Sequence, residues 1–74
     1  VGLPPQIIRK LNTMLTVLSG LANEAELASF PHWRAHKLSG DLAGYWSLTI
    51  TRNWRLIFKV EDNGIRDLDL IDYH

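Results

Sequence analysis

Cysteine is absent from the 74 residues, which excludes a disulfide framework and any thiolate metal centre. Apolar runs are only a few residues long, too short for a membrane-spanning helix. Neither an internal repeat nor the charged-then-apolar pattern of a signal peptide is visible, so the simplest expected compartment is the cytoplasm. Net charge is missing too: eight Lys and Arg balance eight Asp and Glu. Composition therefore gives no ground for naming nucleic acid as a partner. With 46% hydrophobic and 22% charged residues, the chain has ordinary globular composition and is too apolar for disorder. Its length suits one domain, and a chain this short buries only about 60% of its unfolded surface, which leaves a thin stability margin.

The charges are not evenly spread. Residues 31–60 carry Arg34, Lys37, Arg52, Arg55 and Lys59 against Asp41, a net of +4. Residues 61–74 carry Arg66 against Glu61, Asp62, Asp67, Asp69 and Asp72, a net of −4. Two arrangements fit: a sheet with a basic and an acidic face, or a sheet neutralised internally.

The hydrophobic period changes midway. Pro4 and Pro5 suit a helix start, where the missing N–H is not needed. Ile7, Leu11, Leu15 and Leu18 then recur at helical spacing, widened by Ile8 and Met14, and Gly20 is a stop. Residues 4–20 thus read as one amphipathic helix. Asn23, Glu24 and Glu26 read as a capped short turn, with Leu27 and Phe30 tucked beneath it and Pro31 closing it. From Trp46 the period is two. Trp46, Leu48 and Ile50 alternate with polar residues; Trp54, Leu56, Phe58 and Val60 alternate with Arg55, Ile57 and Lys59. Turns fall at Arg52-Asn53 and Asp62-Asn63-Gly64. A third run, Ile65 to Tyr73, sets Leu68 and Leu70 against Asp67, Asp69 and Ile71, and residues 34–38 supply one more short strand. A helix followed by an antiparallel meander is an α+β domain.

Several polar residues are candidates for chemistry. Asp72, Tyr73 and His74 close the chain; on a strand Asp72 and His74 share one face and Tyr73 takes the other. A polar tail is the plain alternative. His36 stands between Arg34 and Lys37, just before Gly40; its cationic neighbours favour the neutral imidazole that acts as a base, and an ordinary loop histidine is the alternative. Arg55 lies opposite the Trp54–Leu56–Phe58 face, where it is either a rigid phosphate fork or a solvated charge. His32, beside Pro31 and Trp33, reads as a structural or surface residue. His32 and His36 are far in sequence from His74, so no metal site and no cofactor are expected.

Four ordered elements add to this: His36-Lys37-Leu38-Ser39-Gly40-Asp41, Gly44-Tyr45-Trp46-Ser47, Asn53-Trp54-Arg55-Leu56-Ile57-Phe58, and Asp72-Tyr73-His74. In this order and spacing they closely resemble the HigB family of toxins, in the RelE superfamily, with its H-x-L-x-G-D, G-x-W-S, N-W-R-I-x-F and terminal D-Y-H. The likeness covers roughly Trp33 to His74, with Leu56 where the pattern has isoleucine, and fits the helix more loosely. Many members have a lysine at the position of Ser39; the nearest here is Lys37. Members usually begin with a strand and short helix ahead of the proline-rich start. The resemblance therefore implies a single RelE-like domain over residues 1–74 that lacks its first strand, with one sheet edge open.

The resemblance implies an endoribonuclease that cuts messenger RNA on the ribosome without metal. The ribose 2′-OH attacks the adjacent phosphate, giving a cyclic phosphate and a free 5′-OH. His36, Asp72 and His74 become the acid–base candidates and Arg55 the phosphate clamp. Tyr73 stacks on or holds the RNA, and Lys37 and Arg34 contact phosphate. It also implies a HigA-type helix-turn-helix antitoxin as partner. Two rivals remain. A ParE-like gyrase inhibitor shares the superfold but generally lacks the terminal D-Y-H. A degenerate toxin that only binds its antitoxin is favoured by Ser39 and the neutral charge.

Overall fold

The computed structural model describes residues 3–62 and 64–72. A single helix, α1 (Pro5–Ser19), packs on a four-stranded antiparallel sheet. Its strands are β1 (His36–Lys37), β2 (Trp46–Thr49), β3 (Trp54–Glu61) and β4 (Gly64–Asp72), in spatial order β1-β2-β3-β4. This is the α+β meander expected from the change of period.

The Pro4 carbonyl accepts the first helical bonds, from Ile7 and Ile8. Ile7, Met14 and Leu18 form the buried stripe of α1, with Leu11 and Leu15 half-covered beside it. The sheet meets this stripe with Leu48, Ile50, Leu56 and Phe58, of which Leu48 and Phe58 have no exposed surface. Trp46 and Trp54 pack against this cluster while staying partly exposed.

Asn23 caps a short 3-10 helix (Glu24–Ser29). Its side chain accepts from Ala25 N–H at 2.9 Å, and Glu26 reaches back to the N–H groups of Ala22 and Asn23. Leu27 is thereby pinned into the core at 1% exposure. Phe30 and Trp33 stack 4.3 Å apart across the next 3-10 turn (Pro31–Trp33), and the chain enters β1.

Two features differ from simple alternation. In β4 the register slips: Ile57 faces Asp69 while Lys59 faces Arg66, so Asp67 and Leu68 together stand opposite Phe58. Asp67 takes a φ of 54°, the left-handed conformation that starts many β-bulges. Leu68 stays on the helix side, near Leu15 and Leu18, but is 45% exposed rather than covered. The sheet's other face is not simply solvated either. Ile57, expected among outward residues, is 5% exposed, and Ser47 is 4% exposed. The segment between β1 and β2 brings Leu38 and Leu42 over them, held closed by the Leu38 N–H bond to the Tyr45 carbonyl at 2.8 Å. Gly40 (φ 68°) and Gly44 (φ 95°) supply the backbone freedom this fold-over requires.

Candidate functional site

Register decides which side chains share the face away from α1. His36 pairs with Ser47, Ser47 with Ile57, and Ile57 with Asp69. One step along, Thr49 pairs with Arg55 and Arg55 with Ile71. Cross-strand partners project to the same side, and so do residues two apart on one strand. His36 and Arg55 therefore rise from the same face, two strands apart.

Between them lies a cleft of about 290 Å³. Leu38, Leu42, Ile57 and Ile71 supply its apolar lining; His36, Ser47 and Arg55 supply its polar groups. A larger groove of about 620 Å³ runs beside β4 on the helix side, but its one charged lining residue is Asp62. Among the described residues that groove has no cation to meet the charge of a phosphodiester.

His36 is exposed, and its Nδ1 lies 2.9 Å from the Arg34 carbonyl oxygen. A carbonyl only accepts, so Nδ1 carries the proton. In the neutral ring Nε2 then holds the lone pair. Arg34 offers that carbonyl from a left-handed backbone, φ 50° and ψ 48°.

Arg55 is held by the β2–β3 turn. Its Nη1 donates to the carbonyls of Thr51 at 2.6 Å, Arg52 at 2.9 Å and Trp54 at 3.3 Å. This fixes the guanidinium at the lip of the cleft, and such anchoring lowers the entropy lost when a planar anion docks.

The other candidates lie elsewhere. Lys37 faces the opposite side from His36, paired in register with Trp46. Its ammonium is 3.7 Å from Glu24 and 5.7 Å from the Trp46 ring. The Arg34 side chain lines a different depression, with Glu24, Pro31 and Trp46. Asp72 pairs with Trp54, which places it on the helix side of β4, one residue past Ile71. Tyr73 and His74 lie outside the described residues. At the far end of the sheet one ion pair joins the basic block to the acidic one, and a second lies within the acidic block. Lys59 stands 3.8 Å from Asp67, and Arg66 stands 3.0 Å from Glu61.

Sequence reasoning missed Ser47 and Ile57. Strict alternation assigned both to solvent, and the signal for their burial is the apolar pair Leu38 and Leu42 in the segment that folds over them.

Comparison with known proteins identifies the family and the fold. The family model described as the RelE-like toxin of type II toxin–antitoxin system HigB matches residues 1–74. The chain is 33% identical over 73 residues to the Endoribonuclease HigB of Proteus vulgaris, an alignment covering 99% of this chain and 78% of that protein. Among solved structures it is similar to the YoeB dimer from Staphylococcus aureus. That likeness has a TM-score of 0.58 and 25% identity, over 93% of this chain and 72% of the other. A YoeB/ParE toxin from Agrobacterium tumefaciens gives a TM-score of 0.57 and 26% identity, over 93% and 74%. With a match along its whole length and a relative at one-third identity, the chain belongs to the HigB-type, RelE-like toxins of type II toxin–antitoxin systems.

Proposed function

We propose that the chain is a ribosome-dependent endoribonuclease that cuts messenger RNA by attack of a ribose 2′-OH on the adjacent phosphate. The observation that carries this reading is the placement of His36 and Arg55 over one cleft, with Nε2 of the neutral imidazole left to exchange a proton. The Proteus vulgaris relative is named an endoribonuclease, which supports cleavage of RNA.

In this mechanism His36 exchanges a proton with the reacting ribose–phosphate through Nε2. Such a step contributes about 10²–10⁴ in rate. Arg55 meets the negative charge that builds on the phosphoryl oxygens. Family resemblance assigns the second proton to His74 and Asp72 and the hold on the RNA to Tyr73; Asp72 itself stands on the helix side of β4, and Tyr73 and His74 lie outside the described residues. Lys37 and Arg34, outside the cleft, contact phosphates further along the strand. The reaction needs no metal or cofactor, and it takes place in the cytoplasm, where the ribosome positions the message.

Membership in a type II system implies an antitoxin partner. We assign it to the HigA type, with a helix-turn-helix domain.

The test is a translation reaction with purified ribosomes and a defined message, with the new ends identified chemically. Cyclic phosphate and 5′-OH ends, abolished by His74→Ala, are expected. An intact message would overturn the reading, and impaired DNA supercoiling in a parallel gyrase assay would replace it with the gyrase-inhibitor alternative.

A further inference from the structure

We propose that the apolar floor of the cleft is a seat for one unpaired nucleobase and that the Ser47 hydroxyl reads its edge. The proposal rests on the nuclease reading and adds to it how the substrate is gripped.

Three observations converge. First, the cleft is about 290 Å³, at the small end of the roughly 300–1,000 Å³ of typical ligand pockets. That is room for one flat heterocycle and not for a longer stretch of chain. Second, its lining comes from two sides. Ile57 and Ile71 rise from adjacent strands, while Leu38 and Leu42 come from the segment folded over them. A base slid between aliphatic surfaces loses its water on both faces, as extruded bases do in pockets lined by apolar side chains. Third, Ser47 is 4% exposed, yet among the described residues its hydroxyl has no hydrogen-bond partner. It lines the cleft, and no fully buried side-chain atom lacks a partner, so this hydroxyl meets solvent through the cleft. A guest that displaces solvent from this hydroxyl must bond it or leave it unpaired, and the second is costly. A base edge supplies donors and acceptors, and a serine hydroxyl serves either.

The position also fits. Ser47 and Ile57 are cross-strand neighbours, and Arg55 lies two residues from Ile57, about 7 Å along the strand. A nucleotide with its base on Ile57 brings its own phosphate toward Arg55. A purely apolar guest would leave Ser47 unbonded and make no use of the cation at the lip.

The test titrates the full chain with the four nucleoside 3′-monophosphates and with ribose phosphate, which has no base. Side-chain methyl signals are followed by NMR. The nucleotides are expected to bind about tenfold tighter than ribose phosphate and to shift the Leu38, Leu42, Ile57 and Ile71 methyls, tenfold being roughly the worth of burying one or two apolar groups. Ser47→Ala removes an unpartnered hydroxyl and leaves the fold standing. It should shrink the spread of affinities among the four bases by about fivefold, the worth of one hydrogen bond. Leu42, 41% exposed, offers a second variant that does not endanger the core. Leu42→Ser should weaken the nucleotides and leave ribose phosphate unchanged. Equal binding of ribose phosphate and nucleotides, or methyls that respond to the antitoxin and to no nucleotide, overturns the seat. Message cleavage is measured on the same preparations: cleavage without base-dependent binding removes the seat alone, whereas absence of both removes the nuclease reading as well.

Discussion

The imidazole of His36 donates from Nδ1 to the main-chain carbonyl of Arg34, 2.9 Å away. A residue two positions earlier thus sets which nitrogen of the histidine faces the cleft. The bond depends on the Arg34 backbone, not on its side chain, and this separates the roles of the two residues.

His36→Asn keeps a donor for the Arg34 carbonyl and removes the group that titrates. Cleavage on the ribosome is expected to fall by about 10²–10⁴. Because His36 is exposed, the thermal unfolding midpoint should not move. Wild-type cleavage in the folded variant would falsify the assignment of His36 to the site.

Arg34→Gly is expected to leave the unfolding midpoint equal or higher, while RNA affinity drops and its salt dependence becomes shallower as one phosphate contact is lost. Arg34 sits at φ 50°, and a non-glycine residue held in such a region costs of order 1–3 kcal/mol. Glycine adopts it freely. Unchanged RNA affinity and salt dependence would remove the Arg34 side chain from the phosphate contacts.

Arg55→Lys tests the fork. A lysine presents a point charge and cannot span the three turn carbonyls. Message cleavage should fall by about 10² or more. The hairpin loses a staple at the same time. A loss of about 1 kcal/mol would lower the midpoint by roughly 4–8 °C, visible by circular dichroism and far too small to explain the activity. Retained cleavage with the lower midpoint would make Arg55 a turn staple and nothing more.

Phe58→Ala probes the core. Phe58 has no exposed surface, and truncating a buried phenylalanine typically costs about 3–5 kcal/mol. The stability of a whole domain is only about 5–15 kcal/mol, and this one is small. The variant is expected to be largely unfolded at 37 °C, while Phe58→Leu stays folded with a lowered midpoint. A native melting curve for the alanine variant would place the core elsewhere.

The helix and the meander were legible because their residues obey a period. Ile7, Met14 and Leu18 face the sheet, as a 3.6-residue repeat requires, and Leu48, Leu56 and Phe58 face back, as a two-residue repeat requires. The bulge was hidden, since one extra residue at Asp67–Leu68 leaves little mark on composition; aspartate's tolerance of left-handed backbone is the faint clue. The burial of Ser47 and Ile57 was hidden for another reason. It is decided by a loop, and loops have no period. Lys37 was readable in principle: neighbours on a strand point to opposite faces, so His36 in the cleft puts Lys37 outside it. The anchoring of His36 and Arg55 by main-chain carbonyls leaves no trace in side-chain identity.

Glu24 gives the molecule an uneven rigidity. Its carboxylate accepts from the Trp46 indole at 3.1 Å and lies 3.7 Å from Lys37. The two residues it gathers are register partners across β1 and β2. Strand β1 is two residues long, so this carboxylate clasps the weakest-paired element of the sheet, and that element carries His36. Local opening costs least where backbone pairs are few and exposed. The histidine's strand is therefore expected to peel before the rest of the sheet melts, and salt, which screens an exposed ion pair, to loosen it further. With His36 in its proposed role, warming or added salt is expected to lower activity while helix and core are still folded.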